Sequence, residues 1–106
     1  PAISKVAHKH GAKVAIDNTW ASPLYCKPLA LGADISIEAA TKYICGHSDA
    51  VIGAVTAMAD ALPGLRRAVL GLGYAVGPDD VYLTTRGLRT LSVRLARHQE
   101  NAMKVA

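Results

Sequence analysis

Apolar and polar positions follow two different periods along the chain. Residues 2–10 place Ile3, Val6 and Ala7 at helical spacing. Gly11 follows this segment, and glycine is suited to the left-handed turn that commonly ends a helix. The pattern therefore predicts a first helix that stops just before Gly11.

Three short runs with apolar and β-branched residues predict β-strands. They are KVAID at 13–17, ADISIEA at 33–39 and AVIGAVTA at 50–57. Runs of this kind, rich in β-branched residues, are typical of strands that are buried on both faces of a parallel sheet. The connection 40–49 is too short for a helical crossover, so we expect the second and third strands to pair antiparallel. Strands separated by helices predict an α/β fold.

The second half of the chain has a helical pattern. Residues Leu62, Leu65 and Val69 form one apolar stripe, and GLGYAVGPDD at 71–80 interrupts the helix with glycines and a proline. A single long helix is predicted after this break. Its apolar stripe is Leu88, Leu91, Leu95, Ala102 and Val105, and Arg86, Arg89, Arg94 and Arg97 lie largely away from that stripe. We interpret these arginines as a solvated face or a subunit contact.

Composition limits the classes of protein that remain. The chain has 106 residues, 51% of them hydrophobic and 19% charged, which indicates one compact domain at most. The net charge of +4 is spread without blocks of like charge, so nucleic acid binding is not indicated. No apolar stretch reaches the roughly 18 residues of a membrane span. Cys26 and Cys45 lack metal or redox spacing, and we expect free thiols in a reducing cytosol.

Two chemical groups stand out because of where the predicted strands end. Asp17 ends the first strand, and Thr41 and Lys42 follow the second, at the sheet edge where α/β proteins bind ligands. One interpretation is a non-catalytic α/β module in which Asp17 and Lys42 form a buried ion pair. In the other, a lysine in an apolar setting becomes nucleophilic enough to form a Schiff base with a carbonyl such as that of pyridoxal phosphate. The aspartate would then keep the cofactor ring nitrogen protonated.

Four ordered blocks resemble one family of enzymes. They are DNTWASP at 17–23, PLALGADIS at 28–36, ATKYICGHSDAVIG at 40–53 and YLTTRGLRTLSVRL at 82–95. Together they cover most of the chain and resemble the Cys/Met-metabolism family of pyridoxal-phosphate enzymes. The resemblance implies an aspartate-aminotransferase-like (type I) large domain, a mostly parallel sheet flanked by helices. Residues 1–106 would be part of this cofactor-binding domain, with an N-terminal segment and a C-terminal small domain outside the sequence.

The same resemblance assigns roles residue by residue. Lys42 matches the Schiff-base lysine, and Asp17 matches the aspartate that pairs with the ring nitrogen. Thr41 matches the hydroxyl residue that binds the cofactor phosphate, and Thr19 matches the residue that packs on the ring face opposite the substrate. Many members carry a second phosphate-binding hydroxyl where this chain has Ala39. No metal ligand is implied.

The resemblance also implies an activity. The segment DISIEAATKYICGHSD and Trp20 favour the bacterial β-lyase branch, which cleaves cystathionine to homocysteine, pyruvate and ammonia in methionine biosynthesis. The γ-synthase, γ-lyase and methionine γ-lyase branches of the same family are the alternatives. We expect an amino-acid substrate, a cytoplasmic protein and a homo-oligomer, a dimer of dimers. Because parts of the site would lie outside residues 1–106, we expect these residues alone to be inactive.

Other polar residues have simpler interpretations. His47 and Asp49 follow the cofactor lysine, and we expect them to fix the turn there through local hydrogen bonds. His8 and His10 lie two positions apart on a predicted helix, so they face different directions and make a poor metal pair.

Overall fold

Five α-helices and three β-strands follow one another along residues 1–106, all of which the computed structural model describes. The helices are α1 (Ala2–Lys9), α2 (Ser22–Tyr25), α3 (Leu62–Gly71), α4 (Pro78–Leu88) and α5 (Leu91–Val105), and the strands are β1 (Ala15–Asp17), β2 (Ile35–Glu38) and β3 (Ala54–Ala57). A short 3₁₀ helix covers Pro28–Leu31. Gly11 adopts a φ of 71° just after α1, as its position predicts. The predicted α/β organisation is confirmed.

The strands form one mixed sheet in the order β1-β2-β3. The β1 and β2 strands are parallel, and Asp17 lies opposite Ile37. The β2 and β3 strands are antiparallel, and Glu38 lies opposite Ala54. The antiparallel pairing that we expected from the short connection is therefore confirmed.

The third strand is shorter than the apolar run that predicted it. It begins at Ala54 rather than at residue 50. Before this point the backbone of Ile52 is bound elsewhere: its N–H donates to Thr41 Oγ1 at 2.8 Å, and its carbonyl accepts from the Thr41 N–H at 3.0 Å. The segment before β3 therefore holds the turn after β2 instead of extending the sheet.

The Asp34 carboxylate, just before β2, holds the amino ends of β1 and β2 together. Its Oδ2 accepts hydrogen bonds from the Val14 N–H at 2.7 Å and from His8 Nε2 at 2.8 Å, and Lys13 Nζ lies 3.4 Å from Oδ1. These contacts link α1, the residue before β1 and the residue before β2. The Val14 hydrogen bond, followed by the His8 hydrogen bond, lowers the pKa of Asp34 to about 2.

The predicted long helix is wrong in one respect, because it is two helices. The α4 helix ends at Leu88 and α5 begins at Leu91. At the break, the Gly87 carbonyl accepts from the Thr90 N–H and Thr90 Oγ1, both at 3.1 Å, and from Arg94 Nη2 at 2.8 Å. A threonine hydroxyl that bonds to a nearby carbonyl competes with the helical pattern. The residues between the two helices, Arg89 and Thr90, are neither glycine nor proline, so the sequence pattern did not predict the break.

Burial in this chain is limited to a small part of its apolar residues. Only 14 of 106 residues are buried, and the apolar ones are Ala33, Ala40, Cys45, Ala50, Leu91 and Leu95. Leu91 and Leu95 confirm the centre of the α5 stripe, whereas Val105 is 89% exposed. The prediction that the first strand is buried is wrong for residues 1–106 taken alone, because all three positions of β1 are exposed. None of the helices combines the length and apolar composition needed to cross a membrane.

The Asp34 contacts predict how stability depends on pH. The pKa of this carboxyl is about 2 in the folded protein and near its ordinary value of 3.8 when unfolded. A lowered pKa contributes stability that is complete above 3.8 and is lost as the pH falls towards 2. In urea unfolding of the full-length polypeptide, the free-energy difference between wild type and Asp34→Asn should therefore shrink over this range.

Asp60→Asn is the matched control for this prediction. Asp60 shares the Lys13 partner with Asp34 but lies on the surface and accepts no hydrogen bond from Val14 or His8. We expect a smaller pH-dependent difference for Asp60→Asn. Equal pH profiles for the two variants would contradict the role assigned to Asp34.

Candidate active site

The carboxyl ends of β1 and β2 bring two polar segments together. Parallel pairing continues one residue beyond β1, where the Asn18 N–H donates to the Ile37 carbonyl at 2.7 Å. The Thr19 hydroxyl then accepts from the Ala39 N–H at 2.8 Å. The two segments therefore leave the sheet side by side, with Asp17 on one and Lys42 a few residues along the other.

Thr19 orients the Asp17 carboxylate. Its N–H donates to Asp17 Oδ1 at 2.9 Å, and Thr19 itself is buried. Hydrogen bonding from the Thr19 side chain and then from its backbone N–H lowers the pKa of Asp17, and the charge of Lys42 lowers it slightly further. Asp17 is therefore ionised at neutral pH. The ring-packing role expected for Thr19 stays a prediction, and the structure adds a role in fixing Asp17.

The Lys42 side chain lies between two hollows on the surface. A cavity of about 340 Å³ is lined by Thr19, Trp20, Lys42 and Tyr43. A wider cleft of about 900 Å³ is also lined by Lys42 and Tyr43, together with Thr41. The sequence placed this lysine in an apolar setting, but the structure exposes it.

No ion pair joins Asp17 to Lys42. Lys42 Nζ lies more than 4.0 Å from the Asp17 carboxylate oxygens, and both residues are exposed. The interpretation of the chain as a module held by a buried Asp17–Lys42 pair is therefore wrong. The carboxylate and the amine remain available for separate partners.

A tight turn at residues 39–46, here named the lysine turn, carries Lys42. Within it, the Lys42 N–H donates to the Ala39 carbonyl at 3.0 Å, and the Gly46 N–H donates to the Lys42 carbonyl at 2.8 Å. The Cys45 N–H closes the turn by donating to the Ala40 carbonyl at 2.8 Å. Ala40 and Cys45 are fully buried and anchor the turn on either side of the lysine.

The Thr41 hydroxyl is engaged within the protein. It accepts from the Ile52 N–H at 2.8 Å and donates to the Ile52 carbonyl at 3.1 Å. These bonds fasten the lysine turn to the segment before β3. The expected contact of Thr41 with a cofactor phosphate stays a prediction.

Local hydrogen bonds fix the end of the turn, as predicted for His47 and Asp49. His47 Nδ1 lies 2.8 Å from the Cys45 carbonyl oxygen. The Asp49 carboxylate accepts from Cys45 Sγ and from Arg86 Nη2, both at 3.1 Å. The Cys45 hydrogen bond is the main reason that the pKa of Asp49 is lowered.

Arg94 and Gly87, in the helical half of the chain, contact the lysine turn, and the sequence analysis did not predict either contact. Arg94 donates to the carbonyls of Tyr43 and Ile44, so its interpretation as part of a solvated face is wrong. Gly87 is buried, and a side chain there would overlap the Cys45 carbonyl. A glycine inside a predicted helix costs about 1 kcal/mol relative to alanine, which was the available signal of a close contact.

The sequence profile of the Cys/Met metabolism PLP-dependent enzymes matches residues 1–106. The chain therefore belongs to this family, whose cofactor is pyridoxal phosphate. It is 54% identical over its whole length to a putative cystathionine beta-lyase from Rhizobium johnstonii, of which it spans 27%. It is 50% identical over 90% of its length to the cystathionine beta-lyase MetC of Escherichia coli, of which it spans 24%.

A solved structure of a different family member has the same fold. Cystathionine gamma synthase from Xanthomonas oryzae pv. oryzae, in complex with cystathionine, is 48% identical and superimposes with a TM-score of 0.93. The match covers 98% of this chain and 27% of the synthase chain. The chain thus spans about a quarter of the length of the relatives that it matches.

The residues at this sheet edge fit pyridoxal phosphate. An ionised Asp17 suits a protonated ring nitrogen, and Lys42 has no carboxylate partner that would compete with an aldehyde. The cavity beside Lys42, about 340 Å³, lies within the ordinary range of small-molecule sites, about 300–1,000 Å³. Thr19 lines the cavity beside Lys42 and also donates a hydrogen bond to Asp17, so it connects the surroundings of the amine with the carboxylate.

The close approach at Gly87 predicts the effect of adding a methyl group there. In Gly87→Ala, the new Cβ would overlap the carbonyls of Cys45 and Ile44 and push α4 away from the lysine turn. Overpacking of this kind typically costs about 1–3 kcal/mol, so we expect the free energy of unfolding to fall by that amount. Urea unfolding of the full-length polypeptide measures the change.

Gly64→Ala is the matched control, because Gly64 lies in α3 with open space around it. Alanine favours a helix over glycine, so Gly64→Ala should raise the free energy of unfolding by about 0.5–1 kcal/mol. A Gly87→Ala variant as stable as Gly64→Ala would show that the contact between α4 and the lysine turn is not tight.

Proposed function

We propose that the chain is the central part of the cofactor-binding large domain of an enzyme that cleaves cystathionine by β-elimination. The products are homocysteine, pyruvate and ammonia. One observation carries this proposal. In a chain from a PLP-dependent family, an ionised Asp17 and a Lys42 without a carboxylate partner follow neighbouring strands of the sheet. On this proposal, an N-terminal segment and a C-terminal small domain complete the enzyme.

The two groups have separate tasks in this proposal. Pyridoxal phosphate, when bound, supplies a cationic ring that withdraws electrons from the substrate α carbon. Asp17 would accept a hydrogen bond from the ring nitrogen and keep that nitrogen protonated. Lys42 Nζ would hold the cofactor at its aldehyde and, as a free amine, would remove the proton from the substrate α carbon. Thr19 holds the Asp17 carboxylate in place.

The choice of β-elimination rests on the residues around the lysine turn. The segment DISIEAATKYICGHSD and Trp20 resemble the bacterial β-lyase branch, and Trp20 lines the same cavity as Lys42. The relatives from Rhizobium johnstonii and Escherichia coli carry β-lyase names. The synthase from Xanthomonas oryzae, at 48% identity, supports γ-replacement as a second candidate function.

We also propose a cytoplasmic homo-oligomer, a dimer of dimers. Both cysteines are free thiols, which suits a reducing compartment. Large apolar side chains such as Trp20, 82% exposed, and Leu70, 80% exposed, stand on the surface of these residues and suit burial by further protein.

Product analysis tests the reaction type. The full-length enzyme, supplied with cystathionine and pyridoxal phosphate, should release pyruvate, because β-elimination cleaves the bond on the three-carbon side. Release of 2-oxobutyrate instead would indicate γ-elimination and overturn the β-lyase proposal. Lys42→Ala should abolish turnover and the visible absorbance of the bound cofactor, and near-normal activity of this variant would show that the lysine is wrongly assigned.

Asp17→Asn tests the electrostatic role of the carboxylate. An amide cannot hold the proton on the ring nitrogen, so we expect the turnover rate to fall about 10²–10³-fold, as when other preorganised electrostatic partners are removed. Visible absorbance should show that the cofactor still binds. Asp60→Asn, a surface aspartate bound only by Lys13, is the control and should keep the wild-type rate. An unchanged rate in Asp17→Asn would remove Asp17 from the chemistry.

A further inference from the structure

We propose that Arg94 is a positioning residue that holds the lysine turn and thereby aims Lys42 into its cavity. The proposal rests on the function proposed above for Lys42. Arg94 lies in α5, about fifty residues along the chain from the turn, and binds its backbone directly.

The guanidinium of Arg94 makes four hydrogen bonds. Nη1 donates to the Tyr43 carbonyl at 2.7 Å, and Nη2 donates to the Ile44 carbonyl at 3.2 Å and to the Gly87 carbonyl at 2.8 Å. Nε donates to Thr90 Oγ1 at 3.0 Å. The planar guanidinium is thus held on both edges, and its position defines the positions of the two turn carbonyls.

These carbonyls need such a donor. The lysine turn lies outside the helices and strands, so no regular backbone pattern supplies donors to its carbonyls. No backbone N–H donates to the Tyr43 or Ile44 carbonyl. The Arg94 side chain, from α5, supplies the donor to each of these two carbonyls. The two carbonyls directly follow Lys42, so holding them fixes the backbone from which the lysine side chain extends.

Two glycines make room for the guanidinium and for α4. A Cβ at Gly46, whose φ is 74°, would overlap the Arg94 guanidinium. A Cβ at Gly87 would overlap the Cys45 carbonyl. The turn therefore packs against the backbone of α4 and against the Arg94 side chain of α5. The Tyr43 and His98 rings, 5.9 Å apart, add a second contact between the turn and α5.

A lysine cannot reproduce this arrangement. An ammonium is a point charge on a flexible stem, whereas the guanidinium presents donors in a fixed plane to several acceptors at once. Arg94→Lys keeps the positive charge beside the carbonyls but loses the planar contact. This substitution therefore separates the charge of Arg94 from its geometry.

The test follows the attachment of pyridoxal phosphate to Lys42 in the full-length polypeptide. Apoprotein is mixed with the cofactor, samples are reduced with borohydride at intervals, and the modified Lys42 peptide is quantified by mass spectrometry. A misplacement of about 1 Å can cost about 10²-fold in rate, so Arg94→Lys should slow attachment about 10- to 100-fold. Its turnover number should fall while its KM for the amino-acid substrate changes little.

Arg97→Lys is the matched control, because Arg97 lies on the same helix and its side chain hydrogen-bonds to Glu100 and not to the lysine turn. It should attach the cofactor at the wild-type rate. Thr90→Val is a milder second variant, which keeps the guanidinium but removes the oxygen that holds Nε. It should slow attachment in the same direction and by less, without the loss of folding that a more severe change at Arg94 could cause.

Thermal unfolding of the apoproteins separates positioning from simple stabilisation. The proposal requires slower attachment in Arg94→Lys or Thr90→Val at a temperature where the variant is fully folded. Attachment at the Arg97→Lys rate in both variants, or slowing that only follows the unfolded fraction, would overturn it. If wild-type Lys42 itself acquires no cofactor, the proposed function fails first. If wild-type Lys42 acquires the cofactor and both variants acquire it at the same rate, only the positioning role of Arg94 fails.

Discussion

The parallel pairing of β1 with β2 is the constraint on which the rest of this structure depends. Side chains fix its register at both ends of the strands. Asp34 accepts a hydrogen bond from the Val14 N–H before the strands begin, and Thr19 accepts one from the Ala39 N–H after they end. A slip by one residue would break both bonds and turn Asp17 to the opposite face of the sheet. The register therefore determines whether a carboxylate and a lysine can serve one site.

The lysine turn is held on two sides although the lysine itself is exposed. Thr41 binds it to the segment before β3, and Arg94 binds it to the helical half of the chain. The backbone of Lys42 is thus fixed, and its side chain lines both the cavity and the open cleft. This combination suits a group that must hold a cofactor and also transfer a proton.

The sequence predicted those parts of the site that depend on local order along the chain. Strand ends follow from the apolar runs, so the positions of Asp17 and Lys42 could be inferred before any contact was known. The contact of Arg94 could not, because a hydrogen bond across fifty residues leaves no period in the sequence. The break before α5 arises from donors that converge on the Gly87 carbonyl, which is also a tertiary effect. Burial of β1 was overpredicted, since an apolar run does not show which segment covers it.

Binding of a cofactor phosphate by Thr41 would require a change in its present hydrogen bonds. A phosphate oxygen needs a donor, and the proton of Thr41 Oγ1 is directed to the Ile52 carbonyl in this structure. Ala39, where many members of the family have serine, offers no hydroxyl, and its N–H already donates to Thr19. For Thr41 to bind a phosphate, its proton must turn away from Ile52, while the bond accepted from the Ile52 N–H can stay in place. A negatively charged acceptor favours that exchange, because hydrogen bonds to charged groups are stronger than those to a neutral carbonyl.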